Sequence, residues 1–182
     1  ILCGGALASP AILERSGIGD PALLERLGIP LVHAQPQVGE NLLEHRALIL
    51  QSRLKDPLLS HNRQYQGWRA IWNGIKYYLG VDGLMSAASY EIVGWLKTDP
   101  ALNRPDAQIL VAPFSFNMAD RTQIEDVPGM HVTLYTLRPD SKGSVHIESA
   151  DPNAAAAISA NHHATGHDRK AMVALVRAVR AY

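Results

Sequence analysis

The run from Gly5 to Gly19 constrains the fold more tightly than any other part of the sequence. Ser9 followed by Pro10 is typical of a helix start, because serine caps free backbone N–H groups and proline at the first helical position sacrifices no hydrogen bond. Gly17 ends this helix, and Asp20, again followed by proline, begins a second one. The run therefore predicts two short helices separated by a tight turn.

Hydrophobic patterns predict the remaining helices and strands. We expect helices at 64–79 and from about 167 to 181, and strands at 31–33, 47–54, 90–98, 107–116, 130–138 and 144–148. Trp68, Trp72 and Tyr77 lie at helical spacing in the first of these helices, which predicts that they belong to a core.

The strand at 130–138 has the clearest alternation. Met130 and Val132 alternate with His131 and Thr133, which is typical of a strand with one buried and one exposed face. Residues 139–143 form a turn pattern, so this strand and the one at 144–148 are predicted to pair as a hairpin.

Charge and composition exclude several classes of protein. Lysine and arginine together number 17, as do aspartate and glutamate, so the formal net charge is zero. A chain without a basic stretch lacks the electrostatic footprint of a nucleic-acid-binding protein. No apolar stretch approaches the roughly 20 residues that a membrane-spanning helix requires. The lone cysteine, Cys3, cannot form an internal disulfide, which agrees with the cytoplasm as the expected location.

The Gly5–Gly19 run resembles the second sequence signature of the glucose–methanol–choline oxidoreductases, in which Ser-Pro and two apolar residues precede Ser-Gly-Ile-Gly. Further landmarks of that family follow in order: Val38-Gly39-Glu40-Asn41-Leu42 with Glu44-His45, then Tyr90-Glu91, Leu137-Arg138-Pro139 and Gly143-Ser144-Val145. Glu44 departs mildly from the pattern, since the family usually has aspartate there. The resemblance spans essentially the whole chain and points to the choline dehydrogenase-like branch.

This resemblance implies an α+β fold, in which an antiparallel β-sheet has helices packed on one face and the tail of an α/β FAD-binding domain precedes it. It assigns residues 1–45 to that tail, 46–166 to a substrate-binding domain, and 167–182 to a helix that leads toward the catalytic segment. The family's Gly-x-Gly-x-x-Gly turn and catalytic histidine would lie before Ile1 and after Tyr182. We therefore expect a fragment of a two-domain enzyme, with no catalytic residue of its own.

The resemblance also predicts where FAD would be bound. Small residues near the start of the chain would let the backbone approach the cofactor closely, because a larger side chain would collide with it. Asn41 and His45, from the landmark at residues 38–45, would approach the flavin. For His45, a structural role is the alternative. The predicted cofactor-binding residues are Cys3, Gly4, Gly5, Ala6, Ser9, Asn41 and His45.

Glu91 is the predicted substrate-binding residue, because a carboxylate on this strand could steer a cationic or hydroxylated substrate. A solvent-exposed strand residue is the alternative interpretation. A metal site at His162, His163 and His167 is the alternative that we set aside, because Gly166 interrupts the spacing and no cysteine is near. No metal is expected.

The resemblance implies that the intact protein oxidises a small-molecule alcohol to an aldehyde or ketone, with hydride transfer to FAD. The alcohol and the electron acceptor, whether oxygen, a quinone or a dye, stay open. The alternative from another class is a non-catalytic binding or structural module derived from the substrate-binding half. A lyase is a further option, because one fold can host several chemistries.

Overall fold

The computed structural model describes residues 1–181. The helices are α1 (Gly5–Arg15), α2 (Pro21–Arg26), α3 (Gly67–Tyr78) and α4 (Gly166–Ala181), with short 3₁₀ helices at Pro57–Leu59 and Asn62–Tyr65. The strands are β1 (Ile18–Gly19), β2 (His33–Ala34), β3 (Glu40–Leu42), β4 (Leu48–Arg53), β5 (Ile92–Leu96), β6 (Ala107–Ala112), β7 (Gly129–Thr136), β8 (Gly143–His146) and β9 (Ala157–Ser159). The predicted mixture of helices and antiparallel sheets is confirmed.

The chain divides into two compact units. Unit 1 comprises residues 1–45 and 139–170, and unit 2 comprises residues 46–138 and the chain from Ala171 onward. Residues 139–170 thus pack with residues 1–45, whereas residues 46–138 pack with the end of the chain. The functional assignment of these segments remains a prediction.

In unit 1, helix α1 begins at Gly5 and not at Pro10 as predicted, so Ser9 lies inside the helix and does not cap it. The small residues before Pro10 can follow a helical path, and the fixed φ of proline is itself helical. The cost is one hydrogen bond, because Pro10 has no N–H to donate to the carbonyl of Ala6. The predicted cap of α2 is confirmed, since the Asp20 side chain accepts a hydrogen bond from Ala22 N at 3.1 Å.

Two small sheets complete unit 1. Strands β1 and β2 pair in parallel, and β8 lies between β3 and β9 in an antiparallel sheet. In this sheet Ser144 is paired with Glu40 on one side and with Ser159 on the other. Segments that are about a hundred residues apart in sequence therefore meet beside α1.

Unit 2 is built on an antiparallel sheet with the strand order β4-β7-β6-β5. Strand β7 is central, with Leu134 opposite Leu48 of β4 and Ile109 of β6. The predicted hairpin between the strands at 130–138 and 144–148 is wrong, because β7 and β8 belong to different sheets. The turn between them redirects the chain instead of folding it back on itself.

The core of unit 2 lies between this sheet and the second half of α4. Ala107 and Leu134 from the sheet pack with Met172 and Leu175 from the helix, and all four are buried. Val176 and Val179 border this cluster. The predicted apolar face of α4 is confirmed.

The opposite face of β7 is also covered, contrary to the prediction that His131 and Thr133 face solvent. His131 is buried, its ring lies edge-on to Phe114 and Phe116, and its Nδ1 donates a hydrogen bond to the carbonyl of Phe114 at 2.7 Å. An alternating pattern shows that a strand has an apolar and a polar face, but it does not show that the polar face is exposed. A polar side chain can be buried where it has a hydrogen-bond partner, as His131 does.

The prediction that Trp68, Trp72 and Tyr77 form part of a core is wrong in this structure. Helix α3 forms close to the predicted position, yet these side chains are 68%, 49% and 54% exposed. The periodicity correctly identifies the helix, but it does not specify what covers the apolar stripe. Among the described residues, no helix is both long and apolar enough to cross a membrane.

Candidate cofactor and substrate cavities

A cavity of about 360 Å³ lies in unit 1, and we call it the first cavity. Its walls come from α1, from the segment around β3, and from β8. The lining residues are Ala6, Ser9, Pro10, Leu13, Val38, Gly39, Glu40, Asn41, Leu42, Leu43 and Val145. Three of the predicted cofactor-binding residues, Ala6, Ser9 and Asn41, are therefore brought together from two distant parts of the chain.

The start of α1 leaves its backbone accessible. Gly4 occupies the N-cap position without any side-chain cap, so the first N–H groups of the helix have no side-chain acceptor. Gly5 has a φ of 71°, which favours glycine, and a side chain there would meet no atom within 4 Å. This end of the helix offers hydrogen-bond donors and open space.

Asn41 adopts a left-handed backbone conformation, with a φ of 60°. Asparagine tolerates this region better than most residues, because its short polar side chain forms local hydrogen bonds. Here its Nδ2 donates to Oε1 of Gln37 at 3.1 Å. Non-glycine residues in this conformation are concentrated at functional sites, and Asn41 lines the first cavity.

The other predicted cofactor-binding residues lie outside that lining. Cys3 is exposed ahead of α1, and Gly4 and Gly5 form the start of the helix. His45 is exposed beyond β3, at the end of the first segment of unit 1. Their assignment to the cofactor rests on the resemblance and remains a prediction.

Beside the first cavity, His146 lies between two glutamates, an arrangement that the sequence analysis missed. Its Nδ1 donates to Oε1 of Glu14 at 2.7 Å, and its Nε2 donates to Oε1 of Glu40 at 3.0 Å. The side chain of Glu14 is 0% exposed, and its second oxygen accepts a hydrogen bond from Ile147 N at 2.9 Å. We call these three side chains the Glu14–His146–Glu40 bridge.

The environment of His146 alters its protonation. Burial opposes the charged form, but the hydrogen bonds and the charges of Glu14 and Glu40 outweigh burial and raise the pKa of His146 above 6.5. The imidazolium is the form that donates from both ring nitrogens. It is therefore the form that satisfies both carboxylates.

Gly39 makes room for this bridge. A Cβ at Gly39 would lie 2.8 Å from Cε1 and Nδ1 of His146 and would also collide with the carbonyl of Val145. Its φ of 84° likewise favours glycine. The sequence identified Gly39 as a family landmark, and the structure shows what its missing side chain permits.

Unit 2 has a second cavity of about 600 Å³, and Glu91 lines it. The Glu91 carboxylate lies 3.7 Å from Nδ1 of His61, and its side chain is 54% exposed. Burial and the negative charge of Glu91 raise the pKa of the nearby Tyr65. Glu91 directly precedes β5 and has both a cavity and an ionisable neighbour, and its role in substrate binding remains a prediction.

Positive charge predominates around this second cavity. Arg63, Arg69 and Lys76 line it together with Glu91. Arg69 also stacks on Trp68 at 5.1 Å from the ring centroid. Helix α3 therefore contributes basic residues to the second cavity while its apolar stripe is exposed.

The predicted alternative of a histidine metal site is not supported by the geometry. Among the described residues, the group that could hold an ion is Asp140, His167 and Asp168, and it includes neither His162 nor His163. Both oxygens of Asp168 already accept hydrogen bonds from the backbone of Asp140 and Ser141. The carboxylate of Asp168 therefore has a structural role as an acceptor of backbone hydrogen bonds.

Residues 1–47 match the family model described as GMC oxidoreductase. The chain is 35% identical over 168 residues to an oxygen-dependent choline dehydrogenase of Citrobacter koseri, an alignment that covers 92% of the chain and 30% of that relative. The chain belongs to the GMC oxidoreductase family. An oxygen-dependent choline dehydrogenase of Escherichia coli O127:H6 is 32% identical over 180 residues, which is 99% of this GMC oxidoreductase chain and 32% of that protein.

Solved structures agree with this GMC oxidoreductase assignment at the level of the fold. A formate oxidase superposes with a TM-score of 0.86 at 23% identity, covering 96% of this chain and 35% of that one. A pyridoxine 4-oxidase from Mesorbium loti superposes with a TM-score of 0.73 at 22% identity, and the match covers 98% of this chain and 31% of that one. The chain spans about a third of the length of the relatives that it matches.

Proposed function

We propose that this chain is part of an FAD-dependent oxidoreductase that acts on CH–OH groups and converts an alcohol to an aldehyde or ketone. Its family membership and the choline dehydrogenases among its relatives support the proposal. The observation that carries it is the first cavity, which brings together residues from both family landmarks, Ala6 and Ser9 from one and Asn41 from the other. The activity is proposed for a protein of the relatives' full length.

The first cavity fits part of a flavin nucleotide. Its volume lies within the range of small-molecule sites. The uncapped start of α1 offers backbone donors, which attract electron-rich acceptors. Ala6 and Ser9 are small, so a planar ring system could lie close to the helix backbone. Ala6, Ser9 and Asn41 are the residues that we propose to contact FAD directly.

The cofactor, when bound, would supply the acceptor for the hydride that leaves the carbinol carbon. The residues of this chain would bind and orient the reactants. Asn41 would fix the edge of the cofactor through its constrained backbone, and α1 would exclude water from one wall of the cavity. The proton of the substrate hydroxyl would be taken by the histidine that the family resemblance implies outside this chain.

Glu91 is proposed as a substrate-binding residue in the second cavity. The positive charges of Arg63, Arg69 and Lys76, which line the same cavity, offset its negative charge. An alcohol that also carries an acceptor or a negative charge would find more partners here than a purely cationic one. Glu91 would then orient the substrate hydroxyl through a hydrogen bond.

The test is to purify the product of the complete reading frame and to record its flavin absorbance before and after adding a panel of alcohols. Bleaching by an alcohol under anaerobic conditions supports the proposal. Bound flavin with no bleaching by any alcohol supports the non-catalytic module instead.

A matched pair of variants tests the first cavity itself. Ala6→Leu would place a large side chain in the lining and should abolish flavin binding, whereas Ala22→Leu on the exposed side of α2 should leave it unchanged. Both variants should retain the circular dichroism spectrum of the parent. Full flavin content in Ala6→Leu would show that FAD does not occupy this cavity.

A further inference from the structure

We propose that His146, as an imidazolium between Glu14 and Glu40, is a positioning residue that holds β3 against α1 and so fixes the opening of the first cavity. The inference rests on the proposed function, because that function supplies FAD as the occupant of the cavity. The contacts of the bridge do not depend on the cofactor. Each of the three elements that form this cavity contributes one side chain to the bridge.

The positions of these residues around the first cavity support the role. Glu14 follows the lining residue Leu13 in α1, Glu40 itself lines the cavity beside Asn41, and His146 follows the lining residue Val145 in β8. A displacement of β3 from α1 would separate Asn41 from Ala6 and Ser9. The bridge spans that gap through two hydrogen bonds of 2.7 and 3.0 Å.

The charge pattern makes the bridge depend on the protonation of a single group. A carboxylate is only an acceptor, so a neutral imidazole could donate to one glutamate and would face the other with a lone pair. Glu14 is fully buried, and a buried carboxylate that loses a charged donor is costly. Loss of the proton should therefore release the exposed partner, Glu40, and loosen the contact of β3 with α1, while β3 stays paired with β8.

The groups that face the imidazole come from each neighbouring element. Glu14 is the contact from α1 and Glu40 the contact from β3. The partner of His146 in register on β9 is Ala157, which carries no charge. Arg15, next to Glu14, donates to the carbonyl of Ala154 instead of to the bridge. The two carboxylates thus set the charge state of His146.

The pH dependence has a definite sign. Because the pKa of His146 is raised in the folded protein, the bridge contributes fully below the ordinary value of 6.5, and its contribution is lost as the pH rises through the raised value. Flavin affinity should decrease over the same interval, by about tenfold for each unit by which FAD binding raises the pKa of His146 further.

The first arm of the experiment needs no cofactor. Nuclear magnetic resonance of the flavin-free complete protein should show both ring nitrogens of His146 protonated at about pH 6, and a pKa of His146 above the ordinary value of 6.5. Glu40→Gln, which removes one charge at a partly exposed site, should lower the pKa of His146. A pKa of His146 at or below 6.5 would overturn the proposal.

The second arm measures the FAD dissociation constant of the complete protein at about pH 6 and about pH 9. The wild type should bind more weakly at the higher pH, while His146→Gln and Glu40→Gln should bind weakly at both, and His33→Gln should behave like the wild type. A raised pKa of His146 with pH-independent FAD binding would overturn the positioning role while leaving the flavoprotein assignment intact. Absence of FAD binding at every pH would instead overturn the proposed function, and the role of His146 in cofactor binding with it.

Discussion

Ser141 donates its backbone N–H to Oδ2 of Asp168 at 2.8 Å, and its hydroxyl group bonds to the same oxygen. The backbone N–H of Asp140 donates to Oδ1 of Asp168, also at 2.8 Å. A single carboxylate in the first turn of α4 thereby secures the loop that precedes β8. Burial opposes its ionisation, but these hydrogen bonds prevail and lower the pKa of Asp168 to about 2.

Asp168→Asn should therefore destabilise the chain most at neutral pH. The folded-state pKa lies below the ordinary value of 3.8, so the contribution is complete above that value and is lost as the pH falls toward 2. We expect a loss of about 1–2 kcal/mol at pH 7, measured by urea denaturation. The difference from wild type should shrink in acid. Glu148→Gln, on the exposed surface of unit 1, is the control, and an equal loss in both variants would contradict the prediction.

Gly39→Ala should be more harmful than Gly28→Ala. Both glycines have a positive φ, of 84° and 67°, so alanine is strained at either position. A side chain at Gly28 meets nothing within 4 Å, whereas one at Gly39 collides with His146 and Val145. We expect a loss of about 1 kcal/mol for Gly28→Ala and a clearly larger loss for Gly39→Ala, measured by thermal unfolding. Equal melting temperatures would contradict the steric argument.

Asn62→Ala should destabilise unit 2. Asn62 is 1% exposed, its Nδ2 donates to Oγ of Ser115 at 2.8 Å, and its Oδ1 accepts from the backbone N–H of Ser115 at 2.8 Å. Truncation leaves buried polar groups without partners, at a cost of about 2–4 kcal/mol. Chemical denaturation measures this cost, and Asn103→Ala at an exposed position should change stability by less than about 0.5 kcal/mol.

Glu91→Gln should shift substrate preference by charge. In the complete protein, KM for a cationic alcohol such as choline should rise, and KM for a hydroxy acid should fall, each by about two- to fivefold. Arg69→Gln should do the reverse, because both side chains line the second cavity. Steady-state kinetics with the two substrates check the prediction. Parallel shifts with both substrates would indicate a structural effect and contradict it.

Local elements were predictable from the sequence because local chemistry determines them. The Asp20 cap, the end of α1 near Gly17 and the apolar face of α4 all appear as expected. The strands at 47–54, 90–98 and 130–138 also form close to their predicted positions. Each of these patterns lies within one helix or strand, because it arises from one apolar face or one capping residue of that element.

Long-range pairing was not predictable in this way. A turn at 139–143 suggested a hairpin, but the apolar residues of β7 find their partners in β4, about 80 positions earlier. The Glu14–His146–Glu40 bridge was missed for the same reason, since Glu14 and His146 are 132 positions apart. A single glutamate and a single histidine carry no periodic signal.

The prediction of the cofactor-binding residues depended both on local patterns and on long-range pairing. Ala6 and Ser9 were predicted from one contiguous signature and Asn41 from a second, and their role in binding the cofactor remains a prediction. Their meeting in the first cavity depends on the way β3 pairs with β8, which no local pattern encodes. Exposure of Trp68 and Trp72 shows the same limitation, because the pattern indicates an apolar face without identifying its partner.

The division of unit 1 into residues 1–45 and 139–170 has a consequence for synthesis. During translation, β3 emerges about a hundred residues before its partner strand β8, so residues 46–138 of the second unit must leave the ribosome before the first unit can close. Closing so long a loop is entropically unfavourable and slows folding. The α1 segment is therefore exposed as an unfinished nascent chain for seconds, an interval in which chaperones have access to it.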